Sequence, residues 1–487
     1  MKERRFATIS VFPDRRTGFS PDRGCREVFN SAALGHPVVS DWLNDGAASA
    51  DEADVREIPF RSCRICSNPA QANDGVAMSD IDRRRAERLM REAGLDALVL
   101  FQPEAFRYAI GAPAGVAAMW GRAGAAIALV QMDADMRLGA VASEHAAGMI
   151  ARVAPSVDLR THRIWIDTLD VTGIQDIAGL DHVYRQQGAG GVRPETFDRS
   201  AAFGLLGDLL RDYGLDHARI GIDLEFMPAA DFEALQRSLP KPDWVDGSLV
   251  LRRMRSVKTT GEIRRLRLAA YAAEAGMVEM AAAVEPGVSL AHLSAAWKAG
   301  AQAKAATDGF ALSGHWDFIS VGPDLSDASA VVTPGALIKV DAGTLVDGYS
   351  SDGARTFSYG KASDFALDIF KALENAFAAG IEEIRPGNVF GAVHSAMLAS
   401  MRRDGFGEYF RGHFGHSVGG SVGIEEWPFF SAGNEEVIAK DMVLALETPF
   451  YGQGLGALMI EDQLLVTETG IEYMTSLPRD LGDLSQR

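Results

Sequence analysis

The sequence predicts two successive folded domains, an α/β domain followed by an α+β domain with internal pseudo-twofold symmetry. Three observations carry this expectation. Residues 79–250 alternate short apolar runs with helical patterns, as in a sheet covered by helices. Residues 252–480 repeat a helix, a Pro-Gly break, a second helix and a set of strands. Five acidic or imidazole side chains stand on or beside the strands of that repeat, where an isolated charge is costly.

A chain of 487 residues exceeds one ordinary core, so two domains and an appendage are expected. The composition, 47% hydrophobic and 23% charged, is that of a globular protein. No uncharged apolar run approaches the roughly 18 residues of a membrane helix, and the N-terminus lacks the apolar segment of a secretory signal. The net charge of −18 argues against nucleic acid and anionic membrane surfaces as partners. A small molecule is the expected partner, and a cationic or zwitterionic one is compatible with that charge.

Residues 1–77 differ from the rest. They are nearly neutral, so almost all of the net charge lies in residues 78–487, and they hold all three cysteines, Cys25, Cys63 and Cys66. The cysteine-free remainder excludes a disulfide framework and fits a reducing cytoplasm. Cys63-x-x-Cys66 is half of a zinc or redox motif, but no second cysteine pair or nearby histidine completes it. The expectation is a loose extension, or a start ahead of the true one at Met78.

In the first domain, residues 78–251, a charged helix is expected over 81–93 and a buried strand over 97–101. Strands follow at 125–131 and 137–142, then a loop-rich stretch from Ile164 to Arg193. A helix over 203–213, a strand over 219–223 and a helix over 229–239 complete the domain. No phosphate-loop or dinucleotide fingerprint occurs in it.

The second domain, residues 252–480, opens on a basic run. Thr259 and Glu262 then stand three apart as a capping box for a helix reaching Val284. Pro286-Gly287 breaks it, a second helix runs to Ala306, and strands are expected at 318–321, 336–341 and 351–359. The copy has helices at 364–384 and 389–401 around Pro386-Gly387, then strands at 414–418, 442–447 and 458–466. The segments EPGVSLAHLSAAW and RPGNVFGAVHSAM echo each other one hundred residues apart. A site is expected where the strands of the two copies meet.

Asp341 ends the strand ALIKVD, Asp352 follows eleven residues later, and His416 lies in GHFGHSVGG. Glu447 ends MVLALE, and Glu461 sits in GALMIEDQLL. Four carboxylates and one imidazole suit Mn, Fe, Zn or Co, and supply enough bridging oxygens for two divalent transition-metal ions per chain.

The order Asp–x10–Asp, Gly-His-x-x-Gly and two glutamates resembles the pita-bread superfamily of methionine aminopeptidase, prolidase, aminopeptidase P and creatinase. Residues 79–250 look like the N-terminal domain of its creatinase and prolidase branch. The resemblance implies that Asp352 and Glu461 bridge the metals, that Asp341 chelates one, and that His416 and Glu447 complete the other. It implies a homodimer as well.

Two departures bear on the reaction. Peptidases of the superfamily carry a histidine about seven residues after the ligand histidine, where this chain has Gly423. They carry another about seventeen residues before the first aspartate, and VGPDLSDASA has none. These histidines contact substrate and stabilise the tetrahedral intermediate; His413 and His315 are the candidate substitutes. Near the first gap stands GIEEWPFF, which resembles locally the dimethylsulfoniopropionate lyase members. Glu425 or Glu426 could move a proton there, with Trp427, Phe429, Phe430 and Trp316 as aromatic contacts for substrate. The leading expectation is a hydrolase that cleaves a C–N bond in a small substrate and is not an ordinary dipeptidase. The alternatives are a lyase acting on a zwitterion and a non-catalytic binding protein on the same fold.

Overall fold

The computed structural model describes residues 79–188, 191–421 and 425–486. Residues 1–77 with Cys25, Cys63 and Cys66, together with Met78 and Gly423, lie outside the described residues.

The N-terminal lobe contains α1 (Arg83–Glu92), β1 (Ala97–Leu100), α2 (Pro103–Ile110), β2 (Ile127–Gln131), β3 (Gly139–Ser143), α3 (Glu144–Val153) and β4 (Asp158–His162). It continues through α4 (Ile177–Gly188), α5 (Arg199–Asp212), β5 (Arg219–Ile222), α6 (Ala229–Ser238), β6 (Asp243–Asp246) and α7 (Ser248–Ser256). The sheet order is β4-β3-β2-β1-β5-β6, with β1, β5 and β6 parallel and β2 antiparallel to β1. The unbroken apolar run at β1 follows from burial on both faces. Leu98 and Leu100 join one core with α1 to α3, while Ala97 and Val99 join another with α5 and α6. Arg122 and Arg199 both pair with the fully buried Asp231.

The C-terminal lobe begins with α8 (Thr260–Ala282) and α9 (Leu290–Thr307), followed by β7 (Gly314–Val321), β8 (Leu337–Val346), β9 (Tyr349–Ser350) and β10 (Ala354–Ser358). The second copy comprises α10 (Asp364–Glu383), α11 (Phe390–Arg403), β11 (His413–Ser417), β12 (Glu426–Ser431), β13 (Val443–Gly452) and β14 (Gly456–Val466). Two short strands, β15 (Ile471–Tyr473) and β16 (Gly482–Asp483), close the chain. The capping box at Thr259 and Glu262 forms at the start of α8. The main sheet path runs β12-β11-β13-β14-β10-β8-β7, so the two copies join at β14 and β10.

Strand parity divides this sheet into two faces. Ile338, Val340, Leu444, Leu446, Leu458 and Ile460 pack under the helices. The residues between them, including Asp341, Glu447 and Glu461, therefore emerge on the opposite face. No helix among the described residues is long and apolar enough to cross a membrane.

The lobes are tied by polar contacts, buried at Arg255 and Tyr349 and exposed at Arg253. Arg255 on α7 bonds Glu426 on β12 at 2.7 Å, and Arg253 bonds Glu436 at 2.5 Å. The Tyr349 hydroxyl lies 2.9 Å from Asp80 and 3.0 Å from Glu262, sharing its one proton between the two carboxylates.

Some elements escaped the sequence pattern for identifiable reasons. The stretch expected to be loop-rich holds α4, which has no buried residue and so no apolar stripe to read. Strands β4 and β6 are half-buried and charged, and β12 was expected only as a substrate-contacting segment.

The two helices of the first copy cross closely at Gly276, where a Cβ would lie 2.5 Å from the Trp297 carbonyl oxygen. Gly276→Leu is expected to destabilise the C-terminal lobe by about 3 kcal/mol through overpacking, read as a lower urea midpoint. An unchanged midpoint would show that the helix pair is not close-packed there.

Candidate active site

The side chains of the expected constellation come from different strands, Asp341, Glu447 and Glu461 from mid-strand rather than the strand ends the sequence suggests. Asp341 projects from β8, and Glu447 and Glu461 lie directly opposite each other on β13 and β14. Asp341 and Glu461 both pair across the sheet with Ala354, which brings the two copies together at that row. Asp352 precedes β10 and is buried. His416 comes from β11, with Nε2 3.4 Å from Asp352 Oδ2. The ligand atoms of Asp352, His416 and Glu461 all lie within 4.8 Å of one another.

The electrostatics of this face call for a cation. Burial, then the charges of neighbouring carboxylates, pushes Asp352 and Glu461 well above the usual carboxylate range. Burial raises Asp341 too, against Lys339, whose Nζ lies 3.2 Å away. Glu447 moves the other way. Burial opposes its charge, but His413 at 3.3 Å and Arg411 at 2.9 Å hold its carboxyl low. Glu461 Oε2 is buried without a hydrogen-bond partner among the described residues. The His416 Nδ1 lies 2.9 Å from the Ser417 carbonyl oxygen, which assigns the proton to Nδ1 and leaves Nε2 free as a ligand. Carboxylate oxygens with one free imidazole nitrogen fit a divalent transition metal. Asp341, Asp352, His416, Glu447 and Glu461 could together hold such ions.

A bulge brings a second imidazole to the same face. Residues three apart on a regular strand point to opposite sides, yet His413 and His416 both pack against Phe429, with ring centroids 5.2 and 6.3 Å away. The pairing register of β11 shifts between them, and Gly415 sits there at φ +119°. His413 Nε2 faces Glu425 Oε2 at 3.6 Å while its Nδ1 faces Glu447.

The remaining candidates separate. Glu425 is half exposed beside His413, whereas Glu426 is buried and bound to Arg255. Burial opposes the Glu426 charge, but Arg255 and Lys258 hold its carboxyl low. Trp427 is half-buried and lines a cavity with Glu425 and Phe429. Trp316 pairs with Gly343 on the Asp341 face and donates its indole N–H to Ser350 Oγ at 2.9 Å.

Two expected substrate contacts are corrected. Phe430 is fully buried and stacks on Phe390 at 4.7 Å in the core, because β12 alternates and turns Phe429 to the site instead. His315 pairs with Thr344 and meets the edge of the buried Trp297 under the helices, so it faces away from Asp341.

Arg411 escaped the sequence reading. Its guanidinium bonds Glu447 and the His413 carbonyl oxygen, at 2.7 Å for the latter. Its one sequence signal is its place two residues before His413. Lys258 escaped as well. It is buried, donates to Ser417 Oγ at 2.8 Å beside His416, and is pulled down to about 8 by burial.

Comparison with known proteins follows the same division. The model described as metallopeptidase family M24 matches residues 264–468, and the creatinase/prolidase N-terminal domain matches residues 83–257. Together the two matches support the creatinase and prolidase branch of the pita-bread metallohydrolases. Within that branch it is 28% identical over 280 residues to a Xaa-Pro dipeptidase of Lactobacillus helveticus, covering 57% of this chain and 76% of the relative. The fold is shared with a Xaa-Pro dipeptidase from Bacillus anthracis at TM-score 0.64 and 20% identity, covering 82% of this chain and 98% of that one. It is also shared with dipeptidase PepE from Mycobacterium ulcerans at TM-score 0.63 and 24% identity, covering 82% and 96%. These relatives are named dipeptidases, which gives no support to the lyase alternative.

At Gly415 a Cβ would lie 2.0 Å from the Ala445 carbonyl oxygen. Gly415→Ala is expected to shift β11 and to lower the divalent metal retained by the purified protein at least tenfold, read by elemental analysis. Wild-type metal content in a folded variant would show that the bulge does not set the position of His416.

Proposed function

We propose that the chain is a dinuclear-metal-dependent hydrolase that cleaves a C–N bond in a small substrate and acts poorly on ordinary Xaa-Pro dipeptides. The observation that carries this reading is the convergence of Asp341, Asp352, His416, Glu447 and Glu461 on one sheet face, with a buried Glu461 oxygen left unbonded. Asp341, Asp352, His416, Glu447 and Glu461 would hold the ions, and by the resemblance Asp352 and Glu461 would be shared between them. Bound ions of the Mn, Fe, Zn or Co class would polarise a substrate carbonyl and lower the pKa of water.

The protein groups divide the remaining work. Glu425 is the proton-transfer group, because its carboxylate is half exposed and faces His413, whereas Glu426 is committed to Arg255. His413 orients Glu425 from one ring nitrogen and is itself held by Glu447 at the other. Phe429 walls the imidazoles, and Trp427 and Trp316 flank the approach. Restraint on dipeptides rests on sequence: neither Gly423 nor VGPDLSDASA supplies the peptidase histidines. Each missing stabilising group costs roughly 3 kcal/mol, or about a hundredfold in rate. The reading includes a homodimer, and a monomeric mass by light scattering would remove that part.

Asp352→Ala and Glu461→Ala are each expected to lose both ions, since each removes a bridge; full occupancy in either, by elemental analysis, would sink the ligand assignment. Glu425→Gln is expected to reduce turnover at least a hundredfold across a panel of small amides and Xaa-Pro compounds, with metal content intact. Efficient dipeptide cleavage undiminished in Glu425→Gln and Glu426→Gln would return the protein to the ordinary peptidases.

A further inference from the structure

A cavity of about 350 Å³ lies between the lobes. Asp223, Glu225 and Phe226 form its wall on the N-terminal side, and Glu425, Trp427 and Phe429 on the other. Phe429 and Glu425 also touch the imidazoles of the metal face, so the cavity adjoins the reacting centre.

Its position in the N-terminal sheet is that of a ligand site. Strands β1 and β5 are adjacent and parallel; from β1 the chain builds outward to β2, β3 and β4 on one side, and from β5 to β6 on the other. Gln102 and Asp223, which line the cavity, lie just beyond the carboxyl ends of these two strands. Crevices at such a switch of direction are where open α/β sheets take ligands.

The charges in its walls do not balance. Arg252 is paired with Glu225 at 2.6 Å and Arg255 with Glu426 at 2.7 Å. Asp223 is left over. It is buried and accepts backbone N–H bonds from Phe101 at 2.9 Å and Gln102 at 2.7 Å, and no lysine or arginine among the described residues bonds it. Its carboxyl is pushed up to about 7 by burial, a cost that a bound cation would relieve. Aromatic rings beside it suit a cation that has shed water.

We propose that this cavity is the specificity pocket of the enzyme and receives a cationic amine or guanidinium group of the substrate at Asp223. The inference rests on the hydrolase reading for the direction in which the substrate lies, and it narrows the substrate class to small amides bearing a positive charge away from the scissile bond. Glu425, on the facing wall, stays available for proton transfer.

The test is direct binding, by calorimetry, of butylguanidinium and of its neutral isostere butylurea to the full-length protein. Butylguanidinium is expected to bind at least tenfold more tightly, and Asp223→Asn to erase that preference. Because Asp223 also holds two backbone amides, Gln102→Lys is a second variant, placing a tethered ammonium in the cavity without altering that anchor. It too is expected to erase the preference, and it decides alone if Asp223→Asn has a collapsed thermal transition. Equal binding of the two probes, or a preference undiminished in Gln102→Lys, would overturn the proposal. Turnover is not part of the readout. Selective binding without hydrolysis of any panel amide would sink the hydrolase reading alone, and hydrolysis without selective binding would sink the pocket alone.

Discussion

The structure depends on keeping four carboxylates together on one face of an apolar sheet. Asp352 and Glu461 are almost wholly buried; beyond that burial, Asp341 and Glu447 raise the cost of ionising Asp352, and Asp352 raises that of Glu461. Such a cluster is stable only with compensating positive charge. The protein supplies part of it through Lys339 at Asp341 and Arg411 at Glu447, both at the margins. At the centre, between Asp352, His416 and Glu461, no lysine or arginine among the described residues bonds either carboxylate, and Lys339 only partly offsets the charge of Glu461. The charge left over there is the physical argument for metal, and it explains why the strands carry ligands on one face and hydrocarbon on the other.

Much of this was legible in the sequence because the chemistry sits on regular strands. Apolar runs ending in acid, such as ALIKVD and MVLALE, announce a strand that carries a ligand, although β8 and β13 each continue five residues past it, and the repeated Pro-Gly breaks announce the symmetry. What remained hidden lay where periodicity fails or carries no information. His413 shares a face with His416 only because a bulge at Gly415 breaks the alternation. Phe429 and Phe430 are indistinguishable as adjacent aromatics until the register of β12 is known, and the pairing then sends Phe430 to the core. His315 similarly needed the pairing of β7 with β8 to show which face it occupies. Asp223 lies in no recognisable motif and gave no local signal.

The link between lobes has a bearing on catalysis as well as on stability. Arg255 and Glu426 are both largely buried, so removing either would leave an uncompensated charge at the start of the strand that follows Glu425 and carries Phe429. Lys258, one turn of chain beyond Arg255, bonds Ser417 beside His416. The segment that joins the lobes is thus also the segment that positions two strands of the reacting face.

The sheet order has a consequence for how the chain is made. Strand β14 lies in the middle of the main sheet, between β13 and β10, yet it is nearly the last strand to leave the ribosome. Until it arrives, β13 presents a ten-residue, largely apolar edge with unpaired backbone groups, and Glu461 is missing from the cluster. A nascent chain therefore carries two half-sheets prone to wrong pairing, and its metal site cannot close early around the wrong ion.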